Sequence, residues 1–480
     1  MPNEIVKTSI ASFLQKIFLN LSSFIITIVL SRMLTVSEFG IFSLVNAIIF
    51  FLIIFFSIGI QASMARFLSL SDDREYRHSV LAKGLGVLLP WVVLCTGIYL
   101  IFYAPIIDFI FPEGELKNFT LIIYAIALIE VVRLFIEKAS HGISRLGIAA
   151  EQSAYTSLLL VLLLVSAAYI YSSAESVLYA KIIALALPIP FALTKLILEF
   201  KKSLNADAPH EPSTLTIVSY GIPLSLIFLA DYGFLQLPLI FLGSYLDPSA
   251  VGLYSISILT YVRLLIVPRA IGNGLAPHMA RMNHDQNWFS LLEKGVLFAL
   301  IFSIPIVIIG CTEGGELLAL IFGEKYREAK DIFLLLSLFY LMSSLLGVIN
   351  PILDFSGRAK IRAFGVSVGS VINILLNILW IPKYGIYGAA IATLVGYFIF
   401  FIIVIVNLKS QAISAIILSR PIHKLLFLCS MLLVIFFIFR AIFPSISFLI
   451  LLIILSLIYP ILLICSGIVS KSDFRTIFKN

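Results

Sequence analysis

Long runs of apolar residues, without a regular alternation of polar and apolar positions, constrain this chain more than any other feature. Examples are FIITIVLSRML at residues 24–34 and LLLVLLLVSAAYIY at residues 158–171. A helix of about 20 apolar residues crosses ~30 Å of hydrocarbon and pairs all of its backbone polar groups internally. A transmembrane barrel would need alternating residues. With 61% apolar and 12% charged residues, the chain is predicted to be an all-α integral membrane protein.

Fourteen membrane spans are predicted from these runs. They lie near residues 9–33, 40–66, 83–104, 118–137, 152–172, 177–199, 216–243, 250–272, 291–311, 331–353, 363–381, 386–407, 424–443 and 446–468.

The distribution of Lys and Arg between the loops predicts the orientation of these spans. The N-terminal tail, the loops after even-numbered spans and the C-terminal tail hold 22 of the 33 basic residues, whereas the loops after odd-numbered spans hold seven. Because cytoplasmic loops are enriched in Lys and Arg, both termini are expected in the cytoplasm. The net charge of +7 then reflects topology, and no nucleic-acid partner is indicated.

Two short motifs occur twice in the same order. GIQASMAR at residues 59–66 returns as GLAPHMAR at 274–281, and FGIFS at 39–43 returns as VGLYS at 251–255. The offsets are 215 and 212 residues, as expected for two copies of one unit that differ by a small insertion. Spans one to six therefore correspond to spans seven to twelve in the same orientation, which predicts two six-helix lobes related by an axis along the membrane normal.

This repeat sets the predicted domain organisation. Residues 1–200 form an N-terminal lobe, and residues 201–215 form a cytoplasmic linker whose prolines stop the flanking helices. Residues 216–410 form a C-terminal lobe. Residues 411–480 lie outside the repeat and are expected to form an additional two-helix hairpin.

Catalysis and cofactor binding are not indicated. No G-x-x-x-x-G-K-[ST] phosphate loop occurs, and all six His residues fall in predicted cytoplasmic loops. The four Cys residues are scattered through apolar runs without the spacing of metal ligands. We therefore expect neither a metal site nor an organic cofactor.

Charged residues inside predicted spans are the candidate functional residues, because a charge at mid-bilayer costs at least ~2.5–3.5 kcal/mol. The four basic and two acidic members of this set are Lys16, Arg133, Lys181, Arg263, Glu130 and Asp231. They leave a surplus of two positive charges, which an anionic ligand would balance. Asn20 and Gln61 add neutral hydrogen-bonding groups at comparable depth.

Some of these charges also have structural interpretations. Glu130 and Arg133 are three residues apart, so they share a helix face and can neutralise each other. Asp231 can pair with Arg263 or with Lys16, as a structural clasp or as a protonation site.

Other basic residues lie nearer to the ends of their spans. Lys16 and Lys181 are close enough to the membrane surfaces to extend toward water. Arg66 and Arg269, near cytoplasmic helix ends, suit topological anchors, with substrate contact as a secondary role.

Three segments of the sequence resemble a known family. They are LSRMLTVSEFGIFSLV from residue 30, LGSYLDPSAVGLYSISI from residue 242 and IPKYGIYGAAIAT from residue 381. The motifs R-x-L-x-x-x-x-F-G-x-x-S and I-P-x-Y-G-I-x-G-A-A-I-A-T are similar to those of polysaccharide-repeat flippases of the O-antigen (Wzx) type. This family belongs to the multidrug/oligosaccharidyl-lipid/polysaccharide exporter superfamily.

The resemblance implies a V-shaped pair of lobes that work by alternating access. The implied substrate is an undecaprenyl-diphosphate-linked oligosaccharide, moved from the inner to the outer leaflet of the bacterial cytoplasmic membrane. Other implied partners are a polysaccharide polymerase and a chain-length regulator. Two alternatives stay open, a multidrug or cation exporter of the same superfamily and a membrane-embedded glycan polymerase.

The implied roles fall on the deep polar residues. A cationic cleft that engages the diphosphate would use the basic residues Lys16, Arg133, Lys181 and Arg263. Coupling to a proton or an ion would fall to Glu130 and Asp231. Secondary polar contacts would fall to Asn20, Gln61, Arg66 and Arg269.

Overall fold

A computed structural model describes residues 19–110, 117–201, 210–282, 286–408, 410–442 and 448–468. Lys16, one of the candidate residues, lies outside the described residues. The helices of the first half are Leu19–Met33 (α1), Val36–Ser57 (α2), Ile60–Leu68 (α3), Arg74–Ile110 (α4), Thr120–Gly142 (α5), Leu146–Tyr171 (α6), Ala174–Ala186 (α7) and Pro188–Lys201 (α8). Those of the second half are Thr214–Tyr245 (α9), Pro248–Leu264 (α10), Ile266–Met279 (α11), Gln286–Phe322 (α12), Lys330–Phe355 (α13), Ala359–Val406 (α14), Ser410–Ile417 (α15), Arg420–Ile442 (α16) and Phe448–Cys465 (α17). Short 3₁₀ turns precede α5 and α13.

The protein is an all-helical membrane protein, as the apolar runs predict. Within the described ranges, ten helical stretches are long and apolar enough to cross a bilayer. The longest, α14, covers the predicted eleventh and twelfth spans and contains a non-helical residue, Gly385 (φ 58°, ψ −137°), between them. α5 covers the predicted fourth span and carries four charged residues between Glu130 and Lys138.

Side-chain caps mark where three helices begin. Thr35, Ser173 and Ser213 each take an extended backbone conformation, and each side-chain oxygen accepts a hydrogen bond from the backbone N–H three residues later. Such caps satisfy donors that the first helical turn leaves unpaired. They begin α2, α7 and α9.

Several spans are broken within the membrane. Ile58 and Gly59 both have positive φ, 41° and 73°, and separate α2 from α3. The sixth span is interrupted before Pro188, where α8 begins. In the eighth span the break falls at Leu265, one turn before Pro268, because the proline ring and its missing N–H disturb the preceding turn.

The chain divides into two compact units between Ser255 and Ile256, within α10. The predicted boundary at residues 201–215 lies one span earlier. The two boundaries differ because α9 packs on α2 and α3 and so belongs to the first unit.

A crossing between the first turns of α2 and α10 uses two glycines of the first unit. A Cβ atom added to Gly40 would lie 1.8 Å from the carbonyl oxygen of Pro248. One added to Gly252 would lie 2.3 Å from the carbonyl oxygen of Val36. Only glycine permits backbones to approach this closely, as small residues do at other transmembrane crossings.

The second unit is centred on aromatic stacking and on a polar anchor for its last helices. The Tyr261 ring stacks on Phe333 with centroids 4.3 Å apart, and the Tyr261 hydroxyl donates to the Phe333 carbonyl oxygen at 3.0 Å.

Three contacts attach the C-terminal segment to α12. They join Ser419 Oγ to Glu293 Oε1 at 2.5 Å, Tyr459 Oη to the Ile301 carbonyl oxygen at 2.9 Å, and Arg440 Nε to Glu313 Oε1 at 3.1 Å. These contacts are spread along α12, so the last two helices are held along most of its length.

Candidate functional site

A row of charges on α5 forms the centre of a buried polar cluster in the first unit. Arg133 Nε lies 2.7 Å from Glu130 Oε2, and Arg133 Nη1 lies 3.2 Å from Glu137 Oε2. The spacings of three and four residues place all three side chains on one helix face. Each side chain is about 15% exposed. Arg133 therefore lies between two carboxylates.

Lys181 on α7 completes this cluster. Its Nζ donates a hydrogen bond to the Asn46 side-chain oxygen on α2 and is attracted electrostatically by Glu130. The Asn46 amide nitrogen donates in turn to the Phe42 carbonyl oxygen at 2.6 Å. Asn46, Glu130, Arg133, Glu137 and Lys181 are called the polar cluster below.

The formal charges of the polar cluster sum to zero, since Arg133 and Lys181 are balanced by Glu130 and Glu137. Each cation has a different kind of partner. Arg133 is bound by two ionised groups, whereas the hydrogen-bond acceptor of Lys181 is a neutral amide. The two carboxylates therefore hold Arg133 more tightly than a single amide oxygen holds Lys181.

The structure brings some of the predicted residues together and places others apart. Glu130, Arg133 and Lys181 meet in the polar cluster. Asp231 is half-buried on α9 of the first unit, and Arg263 is half-buried on α10 in the second unit. Of the four basic residues predicted to bind substrate, Arg133 and Lys181 therefore lie in the first unit and Arg263 in the second.

The neutral and peripheral candidates have separate environments. Gln61 is buried on α3, and its Nε2 donates to the Val131 carbonyl oxygen of α5 at 3.0 Å. The Arg66 guanidinium lies 4.2 Å from the Tyr220 ring centroid on α9. Asn20 on α1 and Arg269 on α11 are exposed. Gln61 thus ties two helices together near the polar cluster, and Arg66 lies on an aromatic ring at the end of α3.

Two members of the polar cluster were missed by the sequence analysis. Glu137 could have been found, because it follows Arg133 by four residues on the same helix. Asn46 carries no comparable signal, since it meets Lys181 only through the packing of α2 on α7.

No metal site was expected from the sequence. Within the described part of the chain, no group of three or more His, Cys, Asp or Glu side chains is arranged to hold a metal ion.

Comparison with known proteins identifies the family. Residues 5–283, more than half of the chain, match the model of the polysaccharide biosynthesis protein family. The chain belongs to this family. The resemblance inferred from the sequence motifs is thereby confirmed.

The relatives of this chain include a probable archaeal flippase. The chain is 22% identical over 405 residues to the probable low-salt glycan biosynthesis flippase Agl15 of Haloferax volcanii, covering 82% of this chain and 81% of that protein. It is 34% identical over 111 residues to an uncharacterized membrane protein of Methanocaldococcus jannaschii, spanning 23% of this chain and 22% of that protein's length. The homologues with a named activity are flippases and transporters, not enzymes.

Among solved structures, the lipid II flippase MurJ in an inward closed conformation has the same fold. The TM-score is 0.70, at 14% sequence identity, over 95% of this chain and 97% of that chain. At this identity the match establishes the fold alone.

Proposed function

We propose that this protein is a lipid-linked oligosaccharide flippase. It moves a polyprenyl-diphosphate-linked glycan unit, of an O-antigen or another surface polysaccharide, from the inner to the outer leaflet of the cytoplasmic membrane. The observation that carries the proposal is the family match over residues 5–283, together with a fold shared with a lipid II flippase. The likeness to Agl15 supports a glycan substrate.

The proposed architecture is the fourteen-span arrangement with two six-helix lobes, a linker at residues 201–215 and an added C-terminal hairpin. The crossing of α2 and α10 supports the internal repeat. Under the 212-residue offset, Val36 corresponds to Pro248 and Gly40 corresponds to Gly252. Gly40 lies against the carbonyl group of Pro248, and Gly252 lies against the carbonyl group of Val36. Reciprocal contacts of this kind are expected across a two-fold pseudo-axis.

A flippase of this architecture solves an energetic problem for the glycan. Each unpaired hydroxyl group costs several kcal/mol in hydrocarbon, so the penalty for a few sugars reaches tens of kcal/mol. A hydrated cleft that opens alternately to either side removes most of this penalty. The hydrocarbon chain of the substrate stays at the depth of the bilayer hydrocarbon and does not enter the hydrated cleft.

Substrate binding is assigned to Lys16, Arg133, Lys181 and Arg263. Lys181 is the best supported of the described cations, because its acceptor is neutral. Arg133 would act only after release from a carboxylate, and Glu130 and Asp231 are the proposed coupling groups. Membrane potential assists the step, because the export of one negative charge across 100 mV yields about 2.3 kcal/mol.

Transport by reconstituted vesicles tests the proposal. Wild-type protein is expected to move a fluorescent polyprenyl-diphosphate sugar across the bilayer, with no change in the glycan's length, and to leave an organic cation untransported. Transport of the cation alone would indicate a drug exporter, and a lengthened glycan would indicate a polymerase.

Charge-neutralising variants test the site within the same assay. Lys181→Gln and Arg263→Gln each remove a charge-assisted hydrogen bond worth ~1.5–3 kcal/mol, so transport should slow by roughly tenfold or more. Lys383→Gln is the matched control, since it removes one positive charge from an exposed position. Equal rates for all three variants would contradict the assignment of Lys181 and Arg263.

A further inference from the structure

An apolar cavity of about 520 Å³ lies between α2, α4 and α9 of the first unit. Its fourteen lining residues are Ile, Leu, Phe, Tyr and one Cys, and include Phe51, Phe55, Ile98, Phe102 and Leu237. The volume falls within the range of ~300–1,000 Å³ that is usual for ligand sites. An uncharged lining selects an uncharged, apolar occupant.

Water is a poor occupant for this cavity. An ordered buried water needs two to four polar partners, and apolar cavities that lack them bind apolar molecules instead. The hydroxyl of Tyr99, one of the lining residues, already donates to the Thr120 carbonyl oxygen at 2.9 Å. The wall therefore presents mainly hydrocarbon and aromatic carbon to an occupant.

The position of α4 gives the cavity access to lipid. Only 17% of the most apolar stretch of α4 is buried, compared with 44% for α2. Two lining residues of α4, Ile98 and Phe102, are 40% and 52% exposed. At membrane depth, a cavity beside so exposed a helix is filled from the bilayer.

The helix α2 separates this cavity from the polar cluster. Asn46 points toward α7, where it accepts the hydrogen bond of Lys181. At ~100° per residue, Phe51 and Phe55 lie about 140° and 180° around the helix from Asn46. One helix therefore carries a polar contact on one side and the wall of an apolar cavity on the other, the same two chemistries that a lipid-linked glycan combines.

We propose that the cavity between α2, α4 and α9 holds the polyprenyl chain of the substrate. This inference rests on the proposed function. The chain already lies in hydrocarbon, so no hydrophobic driving force favours its entry. Its binding derives from van der Waals contacts with the concave wall, which are individually weak and collectively large. The cavity aligns the chain beside α2 without holding it too tightly for release.

A polyprenyl chain fits this cavity better than a linear acyl chain does. Each isoprene unit has a methyl branch and a double bond, so the chain is thicker than a linear one. A wide cavity with six aromatic residues among its fourteen lining residues offers room for the branches and aromatic faces for the double bonds.

Photolabelling of the full chain in nanodiscs tests this inference. The probe is polyprenyl diphosphate with a diazirine on its chain and without a glycan, and crosslinked peptides are mapped by mass spectrometry. The comparison probe is phosphatidylglycerol with the same diazirine on an acyl chain. We expect the polyprenyl probe to label α2, α4 and α9 at the cavity, and the phosphatidylglycerol probe to label exposed helix surfaces throughout.

Two cavity-filling variants and a matched control complete the experiment. Ile98→Trp and Leu237→Trp introduce an indole from different walls, which should lower polyprenyl labelling at the cavity about fivefold or more by filling its volume. Leu100→Trp makes the same type of change at a residue of α4 that is 58% exposed and does not line the cavity. All variants must retain the wild-type thermal unfolding midpoint, and either of the two filling variants suffices if the other is unstable.

Each outcome bears on one proposal. Equal labelling of the cavity by both probes, or labelling that Ile98→Trp and Leu237→Trp leave unchanged, would overturn the polyprenyl site even if transport is intact. If the wild-type protein shows specific polyprenyl labelling but does not transport the polyprenyl-diphosphate sugar, the proposed function would be overturned and the polyprenyl site would remain supported.

Discussion

Gly40 and Gly252 lie 212 residues apart and approach each other's helix so closely that neither position has space for a Cβ atom. The relationship is reciprocal. Gly40 meets the carbonyl group of Pro248, which is four residues before Gly252, and Gly252 meets the carbonyl group of Val36, which is four residues before Gly40. The two copies of the FGIFS-type motif thus use the same glycine for the same backbone contact.

Alanine at Gly40 or at Gly252 is expected to separate the two helices. The contacting atoms are backbone carbonyl groups, which cannot move aside as a flexible side chain does. Overpacking of this kind typically costs ~1–3 kcal/mol. Gly40→Ala and Gly252→Ala should each lower the thermal unfolding midpoint, and the double variant should lose less than the sum because both changes act on one contact.

Gly97 of α4 provides the matched control for these variants. A Cβ atom at this position meets nothing within 4 Å. Gly97→Ala should leave the free energy of unfolding unchanged or raise it by up to ~1 kcal/mol, since it reduces the freedom of the unfolded chain. Equal midpoints for all three alanine variants, measured by circular dichroism in detergent, would refute the role of the crossing.

Loss of the Arg133 charge should destabilise the first unit more than loss of its partners. Arg133→Met leaves Glu130 and Glu137 facing each other without their shared cation, and breaking a buried ion pair from one side costs roughly 3–5 kcal/mol. Glu130→Gln combined with Arg133→Met should recover part of this loss, because one uncompensated carboxylate is removed.

A double-mutant cycle measures this coupling. The free energies of unfolding of the wild type, both single variants and the double variant give the interaction energy between Glu130 and Arg133. Arg133→Lys is the control that keeps the charge. Additive effects would show that the ion pair seen at 2.7 Å contributes nothing to stability, and the substrate-binding role of Arg133 would then be favoured.

The all-helical membrane class could be predicted from the sequence because a hydrocarbon layer demands about 20 consecutive apolar residues in a helix. The breaks within spans could be predicted less well. Pro188 marks its own break, but Ile58 takes a left-handed conformation that its residue type does not favour. Pro268 accounts for the break at Leu265, because its ring and missing N–H disturb the preceding turn. At Ile58 the residue type gives no such signal.

The same contrast applies to the polar cluster. The pairing of Glu130 with Arg133 follows from their spacing along one helix, and Glu137 extends the same pattern. The contact of Lys181 with Asn46 joins residues 135 positions apart. It depends on how α2 packs against α7, which no local pattern in either segment specifies.

A clasp at the start of α9 should respond to pH. Glu211 Oε2 accepts hydrogen bonds from Lys83 Nζ at 2.8 Å and from Ser79 Oγ at 2.5 Å. These bonds lower the pKa of the Glu211 carboxyl below its ordinary value. Because the folded-state pKa is lowered, the stabilisation is present above the unfolded-state value of about 4.3 and is lost as the pH falls through the folded-state pKa.

The variant Glu211→Gln removes this titration. Its thermal unfolding midpoint should lie below that of the wild type near neutral pH, and the difference should shrink as the pH is lowered through the acid range. Glu75→Gln, a change at an exposed position on α4, controls for the general loss of a negative charge. A difference that stays constant down to acid pH would contradict the clasp.

Both ends of the chain are expected in the cytoplasm, because 22 basic residues lie on that side of the predicted spans and seven on the other. This places exposed Ser69, after α3, inside the cell and exposed Glu175, at the start of α7, outside. Single cysteines are introduced at these positions after Cys95, Cys311 and the two other native cysteines are replaced. In intact cells, a membrane-impermeant maleimide should label Glu175→Cys at once and Ser69→Cys only after lysis. The reverse pattern would invert the topology, and with it the direction in which the two lobes present a glycan.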